Sequence, residues 1–199
     1  IRRIDLHRKG SSQMLYPYDV KLRTMGKAVL KTYVSLWGDG SIAVVKPKVP
    51  VSHIIVGRHP TAMLMNNAQT RLFVVNSNSD TVSVIDTMSD RVIETINLRL
   101  AESELIGASP EGLALSDDEQ TLYVGNAHAN AVGVVKLAAR PSKAEASKLT
   151  GFIPTGNYPA AVAAVGNRLF IANGKGTGME NSSTTINDAR AEAFGHGKS

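Results

Sequence analysis

Apolar residues in this chain fall in short runs, and polar turns of small residues separate them. From Arg71 the chain reads RLFVVN, SNSD, TVSVID, TMSD and RVIETI. Leu72–Val75 is apolar without alternation, the pattern of a strand buried on both faces. Thr81–Ile85 alternates, with Val82 and Val84 on one face and Thr81, Ser83 and Ile85 on the other. Val92–Ile96 alternates weakly and reads as an outer edge strand, and Ala62–Met65 supplies a short strand ahead of the group. Four strands joined by such turns read as an antiparallel meander.

The same order returns along the chain. Gly112–Leu115, Leu122–Gly125, Val132–Leu137 and Gly151–Thr155 repeat it, with an insertion at Ala138–Leu149 that reads as a loop or a short helix after Pro141. Upstream, Tyr18–Leu22, Thr32–Trp37, Ser41–Val45 and Val51–Val56 form a looser unit around the turn Gly38-Asp39-Gly40. Downstream, Ala160–Val165 and Leu169–Ala172 begin another. Residues 1–6 read as a strand, the last piece of a preceding unit. Asn76, Asn126 and Asn173 each close an apolar run, at steps of 50 and 47 residues. Repeats of about 40–50 residues with several short strands are the mark of a propeller or array.

A four-stranded meander has two faces and cannot bury both alone. Packed face to face around an axis, each one buries its faces against its neighbours. A helical solenoid would need stripes of period 3.6, which the repeats lack, and a parallel sheet would need longer crossovers. A β-sandwich would not repeat its sequence. The expected fold class is therefore all-β: a β-propeller of four-stranded antiparallel blades, here about three and a half of them. The expected blades are 1–57, 58–108, 109–157 and a partial one at 158–175, followed by a Gly/Ser-rich loop or tail at 176–199 with a weak helical signal over Asp188–Phe194.

Pro60, Pro110 and Pro159, with Pro17 as a fourth instance, stand just ahead of the inner strand of their units, where no ladder donor is lost. The recurring Asn76, Asn126 and Asn173 are expected to be structural, their side chains bonding the following turn or their backbones turning left-handed.

The spellings LFVVN, LYVGN and LFIAN resemble the motif of the YVTN-repeat β-propeller family, as do HPTAMLMNNAQTRLFVVN and SPEGLALSDDEQTLYVGN. The resemblance covers residues 51–175 well and 1–50 loosely. It implies a propeller, typically of seven blades, in a class whose members include exported proteins and which looks similar to surface-layer, lactonase-like and quinoprotein-like propellers. GFIPTGNYPAAVAAVGNRLFIANGKGTG is similar, more narrowly, to bacterial proteins in which a propeller precedes a phosphoesterase domain. Three and a half blades do not close a ring, so further blades or self-association are expected.

Composition narrows the chemistry. The chain has 199 residues and no Cys, which excludes disulfides and thiolate metal sites. No apolar run is long enough for a transmembrane helix. The net charge of +5 is spread out, and only 5% of residues are aromatic, so no nucleic-acid partner is expected. A periplasmic or extracellular location is expected from the resemblance.

No catalytic constellation emerges. No pair among His7, His53, His59, His128 and His196 has a metal-binding spacing, so no metal and no cofactor is expected. The end Gly197-Lys198-Ser199 lacks the rest of a phosphate loop, and Asp117-Asp118 and Glu102/Glu104 lie in polar turns. His59 and His128 sit in turns that would rim a propeller channel and approach one another there. Lys175 lies in the Gly-rich stretch that follows. These three are the candidate ligand contacts. The readings left open are a non-catalytic module for ligand or protein binding or scaffolding, the propeller part of a phosphoesterase-like enzyme, and a lactonase- or quinoprotein-like enzyme with an axial site.

Overall fold

The computed structural model describes residues 3–8, 10, 12, 14–99, 107–142 and 145–176. Among them are fourteen β-strands and no helix, so none is long and apolar enough to cross a membrane. The first sheet is the meander β1 (Pro17–Met25), β2 (Ala28–Leu36), β3 (Ser41–Val45) and β4 (Ser52–Ile55). The second is β5 (Pro60–Met65), β6 (Arg71–Asn76), β7 (Thr81–Asp86) and β8 (Arg91–Asn97). The third is β9 (Pro110–Leu115), β10 (Thr121–Asn126), β11 (Ala131–Lys136) and β12 (Lys148–Pro154). The pair β13 (Pro159–Val165) and β14 (Arg168–Asn173) forms the fourth. All pairings are antiparallel. These are propeller blades, their inner strands β1, β5, β9 and β13 touching in succession and their outer strands β4, β8 and β12 likewise.

The core lies between blades. Tyr33, Ile42, Val44 and Ile54 of the first pack against Met63, Leu72, Val74 and Ile85 of the second. Phe73, Val82, Val84 and Ile96 of the second pack against Leu122, Val124 and Val135 of the third. Neighbouring residues of β6 thus serve opposite interfaces, Leu72 and Val74 one side and Phe73 the other. That is why this strand is apolar without alternation. In β14 the same kind of run leaves Phe170 54% exposed, because no described element covers its far side.

A polar lock joins the first two blades. Lys31 and Lys46 both pair with Asp90, at 2.9 and 2.7 Å, and the Tyr33 hydroxyl donates to the same carboxylate at 2.7 Å. Burial alone would raise the Asp90 pKa, but these three hydrogen bonds outweigh it and hold the group below the usual carboxylate range.

Residues 1–6 do not form the expected strand. Residues 1 and 2 lie outside the described residues, and 3–8 run as irregular chain across the outer face of the first blade. Leu6 and Leu15 cover Val34, Leu36 and Ala43. The segment is fastened by the His53 ring at the Leu6 carbonyl, 2.8 Å, and by Arg8 pairing with Asp39 at 2.9 Å. A short apolar-polar run needs a ladder partner to become a strand, and here Leu6 packs while Ile4 stays exposed. The described part of the 138–149 insertion holds no helix. The Arg71 guanidinium donates to the carbonyls of Ala138 and Ala139 and ties the start of this loop to the second blade. The helical signal over 188–194 lies outside the described residues.

Candidate functional site at the axial end of the inner strands

Pro17, Pro60, Pro110 and Pro159 each begin an inner strand. The residue before each proline is left-handed: Tyr16 at φ 44°, His59 at 52°, Ser109 at 45° and Tyr158 at 62°. A non-glycine residue held in this region costs about 1–2 kcal/mol, so four in register need a fixed restraint. Their carbonyls supply it, accepting the N–H of Trp37, Ser77, Ala127 and Gly174 at 2.8–3.1 Å. Two further side chains act across blade boundaries. Asp80 accepts the Ser109 N–H at 3.1 Å, and Asn130 accepts the Tyr158 N–H at 2.9 Å.

This kink gathers side chains at one end of the inner strands. Trp37 stacks on His59 at 3.7 Å between centroids and 15° between planes, and Tyr16 meets Trp37 edge-on at 5.9 Å. Around Tyr158, the His128 ring packs at 5.6 Å and the Lys175 ammonium sits 4.6 Å from the ring centre. The residues after the four prolines are Tyr18, Thr61, Glu111 and Ala160. Thr61 and Ser77 share a hydrogen bond at 2.9 Å, and Ser77 donates to the Pro110 carbonyl at 2.8 Å.

Glu111 is the chemically distinctive group. Burial pushes its carboxyl above the usual carboxylate range, and the Ser109 hydroxyl, the His128 charge and the Ser77 hydroxyl offset this only in part. No Lys or Arg pairs with it among the described residues. Tyr18 is pushed up as well, by burial first and then by the charges of Glu111, Tyr158 and Asp19. Tyr18, from the first blade, therefore lies within electrostatic reach of the third and fourth. No group of three His, Asp or Glu suited to a metal ion occurs among the described residues.

The structure places His59 and His128 in separate aromatic groups rather than together, while His128 and Lys175 meet at Tyr158. Tyr18, Trp37, Glu111 and Tyr158 escaped the sequence reading. Their signal was present, because three of them flank the repeated prolines and Trp37 follows the second strand of its blade.

The three asparagines do not carry left-handed backbone. Asn76 is fully buried, and its amide donates to the Thr81 and Ser83 hydroxyls of β7 at 3.0 and 2.9 Å, not to the turn. In the third blade Ala131 and Gly133 hold those two positions, and the buried Asn126 amide finds no protein partner.

No family model matches the chain, and no curated protein does. Solved structures do. A putative 6-phosphogluconolactonase from Bacteroides fragilis matches with a TM-score of 0.65 at 16% identity, covering 87% of this chain and 52% of that one. The Pseudomonas aeruginosa periplasmic gluconolactonase matches at 0.63 and 15%, covering 84% and 49%. Kuenenia stuttgartiensis hydrazine synthase matches at 0.58 and 22%, covering 78% and 42%. The likeness shows a β-propeller fold. At these identities it shows the fold alone, and the chain spans about half the length of the propellers it matches.

Proposed function

We propose that this chain is the ligand-binding part of an exported β-propeller of the YVTN-repeat type, holding a small polar ligand at the axial end of its inner strands without catalysis of its own. The observation that carries this reading is the left-handed kink ahead of four inner-strand prolines, at which Trp37 stacks on His59 and both His128 and Lys175 pack on Tyr158. Propeller loops and strand ends set around an axis are suited to such sites, because rigid blades fix side chains that no single blade could present. The periplasmic location of one structural neighbour supports export. The self-similar repeats support the repeat type.

A second reading is a lactonase-like enzyme, favoured by Glu111 itself. A half-buried carboxyl with a raised pKa beside His128 is the environment of a general acid or base. One experiment separates the two. The purified protein is titrated with small sugar acids, lactones, polyols and amines, following Tyr ring signals by NMR and lactone opening by pH-stat. Shifts at Tyr18 and Tyr158 without turnover support binding. Turnover that Glu111→Gln and His128→Ala both abolish supports the enzyme. A panel that moves no axial signal overturns the axial site.

A further inference from the structure

Among the described contacts around Tyr158, a cation already has a seat. The Lys175 ammonium lies 4.6 Å from the centre of the ring, within the range where a positive charge is held by the face of an aromatic ring. Lys175 is exposed, and main-chain bonds of Gly174 to Tyr158 and of Lys175 to Asn157 hold its backbone beside the ring. The remaining walls have the same preference. His128 packs on Tyr158, Tyr18 presents a second phenol, and Glu111 lies within electrostatic reach of Tyr18, whereas Asp19 beside it is already paired with Lys21 at 3.2 Å.

Glu111 supplies the second argument. It is a carboxylate withdrawn from water with no Lys or Arg partner among the described residues, and its burial disfavours the charged form. Withdrawing an unpaired charge from water is costly, and the cost falls when a counter-charge is delivered beside it. The face of Tyr158 and a half-buried carboxylate with no Lys or Arg partner among the described residues together fit an organic cation.

We propose that the axial site takes a ligand bearing an alkylammonium group, and that Lys175 occupies part of the cation's place when no ligand is bound. This rests on the axial binding reading above and adds the ligand's charge to it. Lys175 then acts as a competitor tethered to the site. A cationic ligand must displace it from Tyr158, and removing its charge strengthens binding of cations from solution.

The test uses choline as the probe, its neutral isostere 3,3-dimethylbutan-1-ol, and acetate as the anionic control. Binding to the full chain is followed through ring-labelled Tyr signals in the parent, Lys175→Met and Glu111→Gln. Choline is expected to shift Tyr18 and Tyr158 and to bind roughly tenfold tighter than the isostere, the scale of a partly desolvated cation–ring contact. Lys175→Met is expected to tighten choline binding several-fold, and Glu111→Gln to weaken it. Lys175 is exposed, so its variant tests charge rather than folding, and circular dichroism of both variants checks this. Equal binding of choline and the isostere overturns the proposal. So does acetate binding that Lys175→Met removes, which would make Lys175 an anion ligand. If neutral polyols shift the rings and choline does not, the cation is wrong and the axial site stands. If nothing shifts them, both fall.

Discussion

Asp80 in the second blade grips Ser109 at the start of the third: one carboxylate oxygen accepts the Ser109 N–H at 3.1 Å while the other accepts the Gly107 N–H at 2.8 Å. Asn130 makes the corresponding bond to Tyr158 one blade later. These clamps hold the left-handed residues ahead of Pro110 and Pro159 and so position the axial side chains of the third and fourth blades. Asp80 is itself left-handed, at φ 50°, and almost fully buried. Asp80→Ala is expected to lose two charge-assisted bonds and to strain the turn, costing about 3 kcal/mol. Asp80→Asn is expected to cost less, because Asn tolerates the backbone and keeps one acceptor. Urea denaturation of the two variants checks the ranking, and equal losses would refute the clamp.

Asp90 is expected to be the most sensitive charge between the first two blades. Lys31 and Asp90 are each only 12% exposed at the side chain. Removing one partner leaves the other charged and buried, which costs about 3–5 kcal/mol in such sites. Asp90→Asn preserves the left-handed turn at φ 55° and isolates the charge effect. Because the folded-state pKa of Asp90 is held low, its contribution is present above the ordinary carboxylate pKa and is lost as pH falls through the folded value. The gap in stability between parent and variant should therefore close on acidification, as urea midpoints measured from neutral to acidic pH would show.

Asn126 offers a stabilising change. In the second blade Ser83 accepts the Asn76 amide; in the third Gly133 stands at that position. A Cβ on Gly133 would sit 3.4 Å from the Asn126 amide nitrogen, an ordinary contact. Gly133→Ser is expected to give Asn126 a partner and to remove a strand glycine, raising stability by about 1 kcal/mol. Thermal unfolding reads this. Gly133→Ala, which lacks the hydroxyl, should recover less, and an equal gain from both would show that the bond contributes nothing.

Glu111 carries the opposite sign to Asp90. Its folded-state pKa is raised, so the folded chain holds its proton more readily than the unfolded one. Its stabilising effect is complete below the unfolded carboxylate pKa of about 4.3 and is lost as pH rises through the folded value. Glu111→Gln, which stays neutral, should be at least as stable as the parent at neutral pH and indistinguishable from it in acid. His128 acts on the Glu111 carboxyl, so the comparison is repeated in His128→Ala. A variant less stable than the parent at neutral pH would mean that the ionised carboxylate is held favourably.

Most strands were legible because each repeat solves the same burial problem. Leu72, Phe73 and Val74 must be apolar in a row since successive residues meet different blades, and Val82 and Val84 alternate against Thr81 and Ser83. Strand ends were less legible: β1 runs on to Met25, where the pattern suggested Leu22, because the Gly26 turn lets the ladder with β2 extend. The site was less legible still. Tyr18, Glu111 and Tyr158 sit one residue from a repeated proline, and that position alone marks them; Trp37 and Lys175 carry no such mark.

From its sequence alone this protein was committed to repeated four-stranded meanders, since apolar runs at a period near 50 residues have few other ways to leave water. Only the tertiary structure decided that Tyr18, Glu111 and Tyr158 share one end of the axis, that His59 and His128 part company, and that Leu6 packs rather than pairs. The reason is physical. Burial acts on every residue of a strand and imprints the local pattern, whereas proximity across blades is set by rigid stacking of distant segments and leaves no mark within any one of them.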